Sequence, residues 1–67
     1  MIGTVKRVVR DKGFAFVRAD SEAIDRFAHM SALRGGATFE QVTEGARVEF
    51  QPVEGPKGPR AEDVFVL

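Results

Sequence analysis

The chain has 67 residues, no cysteine, and 10 basic residues against 10 acidic ones for a formal net charge of zero. That length fits one domain, the missing cysteines exclude a disulfide framework and any thiolate metal cluster, and the charge balance excludes coating of nucleic acid by bulk electrostatics. The charge is uneven, however: residues 1–18 hold Lys6, Arg7, Arg10, Lys12 and Arg18 against Asp11 alone, so the chain is basic at its start and acidic beyond it.

In chain order, Thr4 to Val9 is the first strand-length segment rich in β-branched residues. It carries charge by position 6 and no long apolar run, which predicts neither a secretory leader nor a membrane span and a cytoplasmic location. Asp11-Lys12-Gly13 reads as a turn, Phe14 to Val17 as a second strand, and Ala19 to Glu22 as another turn. Ile24 to His29 follows as a third strand. Residues 34–46, with Gly35-Gly36 and no sustained period, form a long loop with one short helical turn. Arg47 to Val53 and Ala61 to Leu67 complete five strands, separated by Gly55-Pro56-Lys57-Gly58-Pro59. A chain of this size cannot easily build two packed sheets, so the pattern predicts an all-β fold, one antiparallel sheet closed into a small barrel. A domain this small buries only about 60% of the surface its unfolded chain exposes, and modest stability is expected.

The aromatic residues have an unusual placement. The period of two puts Phe14 and Phe16 on one face of their strand, opposite Ala15 and Val17, and puts Phe27 and His29 together, opposite Ala28. If the small aliphatic side chains fill the interior, the rings lie outside as a stacking platform, with Lys6, Arg7, Arg10 and Lys12 close in sequence. Periodicity alone leaves open whether these phenylalanines are instead core. Catalysis finds no support: there is no Cys nucleophile, no HExxH, no P-loop, and His29 lacks a visible triad or metal partner. No catalytic residue, metal ligand or cofactor is expected.

At these same residues the sequence resembles the bacterial cold-shock proteins over essentially its whole length. Gly3-Thr4-Val5-Lys6 and Asp11-Lys12-Gly13-Phe14-Ala15-Phe16-Val17 are similar to the family's opening G-x-V-K-W-F and its first RNP motif, K-G-F-G-F-I. Asp25-Arg26-Phe27-Ala28-His29-Met30-Ser31-Ala32-Leu33 is similar to the second RNP motif, D-V-F-V-H-F-S-A-I. Glu44 to Phe50 and Lys57 to Ala61 match two later signatures, E-G-x-x-V-x-F and K-G-P-x-A.

The resemblance implies a five-stranded antiparallel OB-fold barrel, residues 1–67 forming one cold-shock domain, that binds single-stranded RNA or DNA as a chaperone or as a regulator of transcription or translation under stress. Carried over position by position, it implies base stacking on Phe14, Phe16, Phe27 and His29, a further ring at Phe39 in the long loop, and backbone or base contacts from Lys6, Lys12 and Arg60. Three family rings are absent, with Arg7 in place of tryptophan, Val8 in place of phenylalanine and Met30 in place of the last ring. An Arg guanidinium stacks on bases and pairs with phosphate, and Met offers a polarizable surface, so Arg7 and Met30 join the candidate contacts. Uncompensated, two or three lost stacking contacts cost about 2–9 kcal/mol. Arg26 stands where the family has an aliphatic residue, on the inward face with Ala28, and is expected at the strand's edge with its head in water or paired with Asp25 or another carboxylate. The smaller Ala28 predicts a looser core on that side. The alternative is a degenerate cold-shock domain whose exposed phenylalanines form a protein-protein interface. A monomer is expected, with an edge-paired or swapped homodimer as the alternative.

Overall fold

Alternation along the strands sorts the side chains by size as well as polarity, and the barrel that results has an interior of small aliphatic groups. The computed structural model describes residues 1–67, with five strands: β1 (Ile2–Val9), β2 (Phe14–Ala19), β3 (Arg26–His29), β4 (Arg47–Gly55) and β5 (Gly58–Val66). The sheet closes in the order β1-β2-β3-β5-β4. Four of the pairings are antiparallel, as expected. The pairing of β3 with β5 is parallel and rests on one ladder pair, Phe27 with Arg60. A second parallel bridge, Leu33 with Val64, continues that seam.

The strand boundaries differ from the expected ones for local reasons. Ala19 is buried and ends β2 rather than opening a turn, because its small side chain faces the core beside Val17. β3 starts at Arg26, leaving Ile24 exposed in the preceding loop. The Gly-Pro segment is a tight hairpin in which Gly55 pairs with Gly58, so Pro59 belongs to β5. The long loop contains one short 3-10 turn, Phe39–Gln41, where the Gln41 side chain accepts a hydrogen bond from the Thr38 N–H at 3.1 Å.

The buried core comprises Val5, Ala15, Val17, Ala19, Ala28, Ala32, Val42, Val48, Phe50, Ala61 and Val64. Phe50 is its only ring, and five alanines let the strands close on so narrow an interior. Beside Ala15, Ala28, Val42 and Val48 lies a void of about 10 Å³, room for one water at most. The looseness expected around Ala28 is therefore small. Close packing also fixes Gly3, near the start of β1 and paired with both Ala19 of β2 and Val48 of β4. A Cβ there would run into the backbone carbonyl of Arg18, which cannot move without breaking the β1–β2 ladder.

Two bulges bend the barrel. In β1 the register moves from Val5–Val17 to Arg7–Phe16, so Lys6 is the extra residue. In β5 Asp63 and Val64 lie between the pairs Phe65–Glu49 and Glu62–Gln51, opposite Phe50 alone. Asp63 has φ of 49°, the left-handed conformation that lets a bulge turn its strand.

Candidate nucleic-acid interface

The antiparallel register of β2 and β3 sets Phe14 opposite His29 and Phe16 opposite Phe27, all on the outer face. Outside is where they stay: the three phenylalanines are half-buried and His29 is exposed, while Ala15, Val17 and Ala28 point into the core. The ring centroids of Phe14 and Phe27 are 5.0 Å apart, those of Phe14 and Phe16 5.7 Å, and those of Phe16 and Phe27 6.1 Å. Phe27 and the His29 imidazole are 6.4 Å apart and nearly parallel, with 26° between their planes. Such spacings hold the rings against one another at favourable tilted and edge-on angles, so the cluster is preorganised before any ligand arrives. The Ser31 N–H donates to Nδ1 of His29 at 3.2 Å, which leaves the proton of the neutral imidazole on Nε2.

Beside Phe16 and Phe27 the surface dips into an open concavity of about 330 Å³. Its other lining residues are Asp25, immediately before β3, and Lys57, Pro59 and Arg60, from the β4–β5 hairpin. Asp25 pairs with Arg18 at 2.7 Å and Arg60 with Glu62 at 2.6 Å. The slot thus offers aromatic walls, two cations and a carboxylate able to accept from base N–H groups. Asp25, Lys57 and Pro59 were not singled out as contacts from the sequence, although they lie inside the D-R-F-A-H-M and K-G-P-R-A segments that carried the resemblance.

The β1 bulge decides where the basic residues go. Because Lys6 is the extra residue, Lys6 and Arg7 are both exposed in succession instead of alternating, and Arg7 comes directly opposite Phe16. The position that lacks the family's tryptophan therefore borders the ring cluster. Lys12 is exposed in the 3-10 turn Arg10–Lys12 that leads into β2. Met30 is 51% exposed, its N–H bonds to the Gly13 carbonyl at 2.9 Å, and its sulfur covers Gly13 at the same end of the cluster. Lys6, Arg7, Lys12 and Lys57 have no carboxylate partner, whereas five other arginines are tied into six ion pairs.

Phe39 stands apart from this arrangement. It is half-buried against the core, and the Arg10 guanidinium sits over its ring, 4.9 Å from the centroid. Arg10 also donates to the carbonyls of Phe39 and Val42, at 2.5 and 2.9 Å, and so staples the long loop to the end of β1. One face of Phe39 is already occupied, and no ring of the β2–β3 cluster pairs with it. In the sequence Arg10 is only one charge of a basic stripe, since a partner 29 residues away leaves no local signal.

Arg26 is buried on the inward face, as the period required, but its head is not in water. It is paired with carboxylates, as one of the expected alternatives had it, and these are Glu22, at 2.7 Å, and Glu54, at 2.6 Å, not Asp25. The hydrogen bond from Arg26 holds the Glu22 carboxyl below its ordinary range, and the two carboxylates raise the guanidinium further above its own.

The family model described as "'Cold-shock' DNA-binding domain" matches residues 1–67. The chain is 45% identical over 65 residues to the cold shock-like protein CspLB of Listeria monocytogenes, covering 97% of this chain and 96% of the relative. It is 40% identical over 66 residues to the major cold shock protein of Micrococcus luteus, covering 98% of this chain and 97% of the relative. It is also 40% identical over 65 residues to the cold shock-like protein CspE of Escherichia coli, covering 97% and 93%. Among solved structures, the one described as drosophila Unr CSD456 superposes with a TM-score of 0.79 at 20% identity, over 98% of this chain and 26% of that one, a likeness of fold.

Proposed function

The chain belongs to the cold-shock domain family, and from that premise we propose that it binds single-stranded RNA or DNA through the outer face of β2 and β3. The observation that carries this reading is the cluster of Phe14, Phe16 and Phe27, preorganised and solvent-facing, with the unpaired cations Lys6, Arg7, Lys12 and Lys57 around it. Rings supply stacking to any base, and the cations track the phosphates between bases. A duplex hides its base faces, so the same surface discriminates against it.

In this reading Phe14, Phe16, Phe27 and His29 stack bases, Arg7 contributes a guanidinium plane beside Phe16, and Lys6, Lys12 and Arg60 meet phosphates or base edges. Met30 extends the apolar surface past Gly13. Phe39, packed on the core with Arg10 over its ring, is a separate contact along the strand through its exposed part. By holding single strands open the protein acts as a chaperone of weakly structured RNA, or as a regulator of transcription or translation, in the cytoplasm. It works as a monomer and carries out no chemical step. No helix of the chain is long and apolar enough to cross a membrane.

The test is anisotropy of labelled pyrimidine-rich single strands against a duplex of the same sequence. Binding to single strands with at least about tenfold preference over duplex supports the proposal. Salt-insensitive self-association with no oligonucleotide binding would instead assign the phenylalanine face to protein contacts.

A further inference from the structure

Arg26 is the one charged side chain buried in the barrel, with 4% of its surface exposed. Its hydrogen bonds are directed across the weakest seam of the sheet. Nε and Nη2 grip both oxygens of Glu22, at 2.9 and 2.7 Å. Nη1 reaches over to β4 and β5, donating to Glu54 at 2.6 Å and to the backbone carbonyl of Arg60 at 3.3 Å. Within β3 the ladder supplies only the Phe27–Arg60 pair, the Leu33–Val64 bridge lying beyond its far end, so Arg26 adds direct ties between the near end of β3 and the hairpin.

The concavity beside the rings lies on the outer side of this same seam. Phe16, Phe27 and Asp25 form one wall, and Lys57, Pro59 and Arg60 of the hairpin form the other. The width of the slot follows the distance between β3 and the hairpin, which the Phe27–Arg60 pair and the Arg26 hydrogen bonds both span. A buried guanidinium held by carboxylates gains little stability over an aliphatic side chain of similar volume, but its bonds have direction. We propose that Arg26 is a positioning residue for nucleic-acid binding: anchored on Glu22 and Glu54, it sets the β4–β5 hairpin so that Arg60 and Lys57 face the Phe16–Phe27 slot. This inference rests on the single-strand reading of the site.

The test is a double-mutant cycle in the charge-matched variant Arg26→Met/Glu54→Gln, read by anisotropy on a labelled single-stranded DNA oligonucleotide, with folding followed by circular dichroism. The variant binds about fivefold more weakly than the wild type. Arg60→Ala, which weakens the wild type by about fivefold, adds less than about twofold in this background, while Phe14→Ala costs the same factor in both. A lowered melting temperature with an unchanged Arg60→Ala factor means a merely structural role and overturns the proposal. If the double variant does not fold, Glu54→Gln alone is read the same way, since the Glu54 side chain is 72% exposed and its loss spares the core. A smaller Arg60→Ala factor than in the wild type supports positioning, and an equal one overturns it. Failure of the wild type to bind any single strand rejects the proposed function. The positioning role is then read from the NMR contacts between Phe27 and Arg60, which Arg26→Met/Glu54→Gln must lose; their retention overturns it.

Discussion

At the residue scale the decisive position is Arg7. The bulge at Lys6 turns Arg7 outward and sets it opposite Phe16, at the border of the ring cluster. A guanidinium there provides a plane and a charge, but less stacking area than an aromatic ring. Arg7→Trp is therefore expected to tighten binding to a single strand by about 1 kcal/mol, or roughly fivefold, net of the lost cation. It would also introduce the only tryptophan, whose quenching reports the contact; weaker binding would show that the charge of Arg7 matters more than its plane. Gly3 shows the opposite constraint, a position set by backbone proximity rather than by ligand. Because its missing Cβ makes room for the Arg18 carbonyl, Gly3→Ala is expected to destabilise the fold by about 1–3 kcal/mol, measured by urea denaturation. Alternation shows Phe14 and Phe16 on one face and Phe27 and His29 on another, but not which face is outside; the family resemblance supplied that. The partners of Arg26 were not legible: Asp25 is its neighbour in sequence, whereas Glu54 is 28 residues away and becomes its partner only when the barrel closes.

At the scale of elements, the seams of the barrel are unequal. β4 and β5 form a long hairpin, whereas β3 has four residues and meets β5 through one parallel pair. Local turn signals reveal the hairpins β1–β2 and β4–β5, because both partners lie close in sequence. They do not reveal a parallel closure between distant strands, which is why an antiparallel sheet was the natural expectation and one seam departs from it. Ion pairs reinforce the joints. Arg47 of β4 grips Asp20 at the end of β2 at 2.6 Å and donates to Thr4 of β1 at 2.8 Å, and Arg26 ties β3 to the hairpin. The hydrogen bonds from these arginines lower the pKa values of Asp20 and Glu22. A carboxyl lowered in the folded state stabilises fully above its unfolded value and loses that contribution as pH falls through the folded one. The ordinary values are 3.8 for Asp20 and 4.5 for Glu22, so stability is expected to hold near neutrality and to decline below about pH 4.5. Denaturant midpoints across that range check it. In Asp20→Asn/Glu22→Gln the decline is shallower; an unchanged slope would place the acid sensitivity elsewhere.

The whole molecule is neutral, yet its cations are not evenly committed. Arg18, Arg26, Arg34, Arg47 and Arg60 are each paired with a carboxylate, while Lys6, Arg7, Lys12 and Lys57 are free around the ring face. The basic start of the sequence announced this asymmetry, and folding adds Lys57 to it from the far hairpin. Four free cations bound to phosphates give a salt slope no steeper than about −3 on a single strand. Stacking supplies the rest of the affinity, which is the central claim. It is tested most directly by titrating the wild type and Phe14→Ala/Phe16→Ala into a labelled pyrimidine-rich single strand at two salt concentrations. The account predicts wild-type binding that weakens with salt along that slope, and a folded double variant whose affinity falls by about 2–6 kcal/mol at either salt. Equal binding by the two proteins, or no wild-type binding at tens of micromolar, would contradict it.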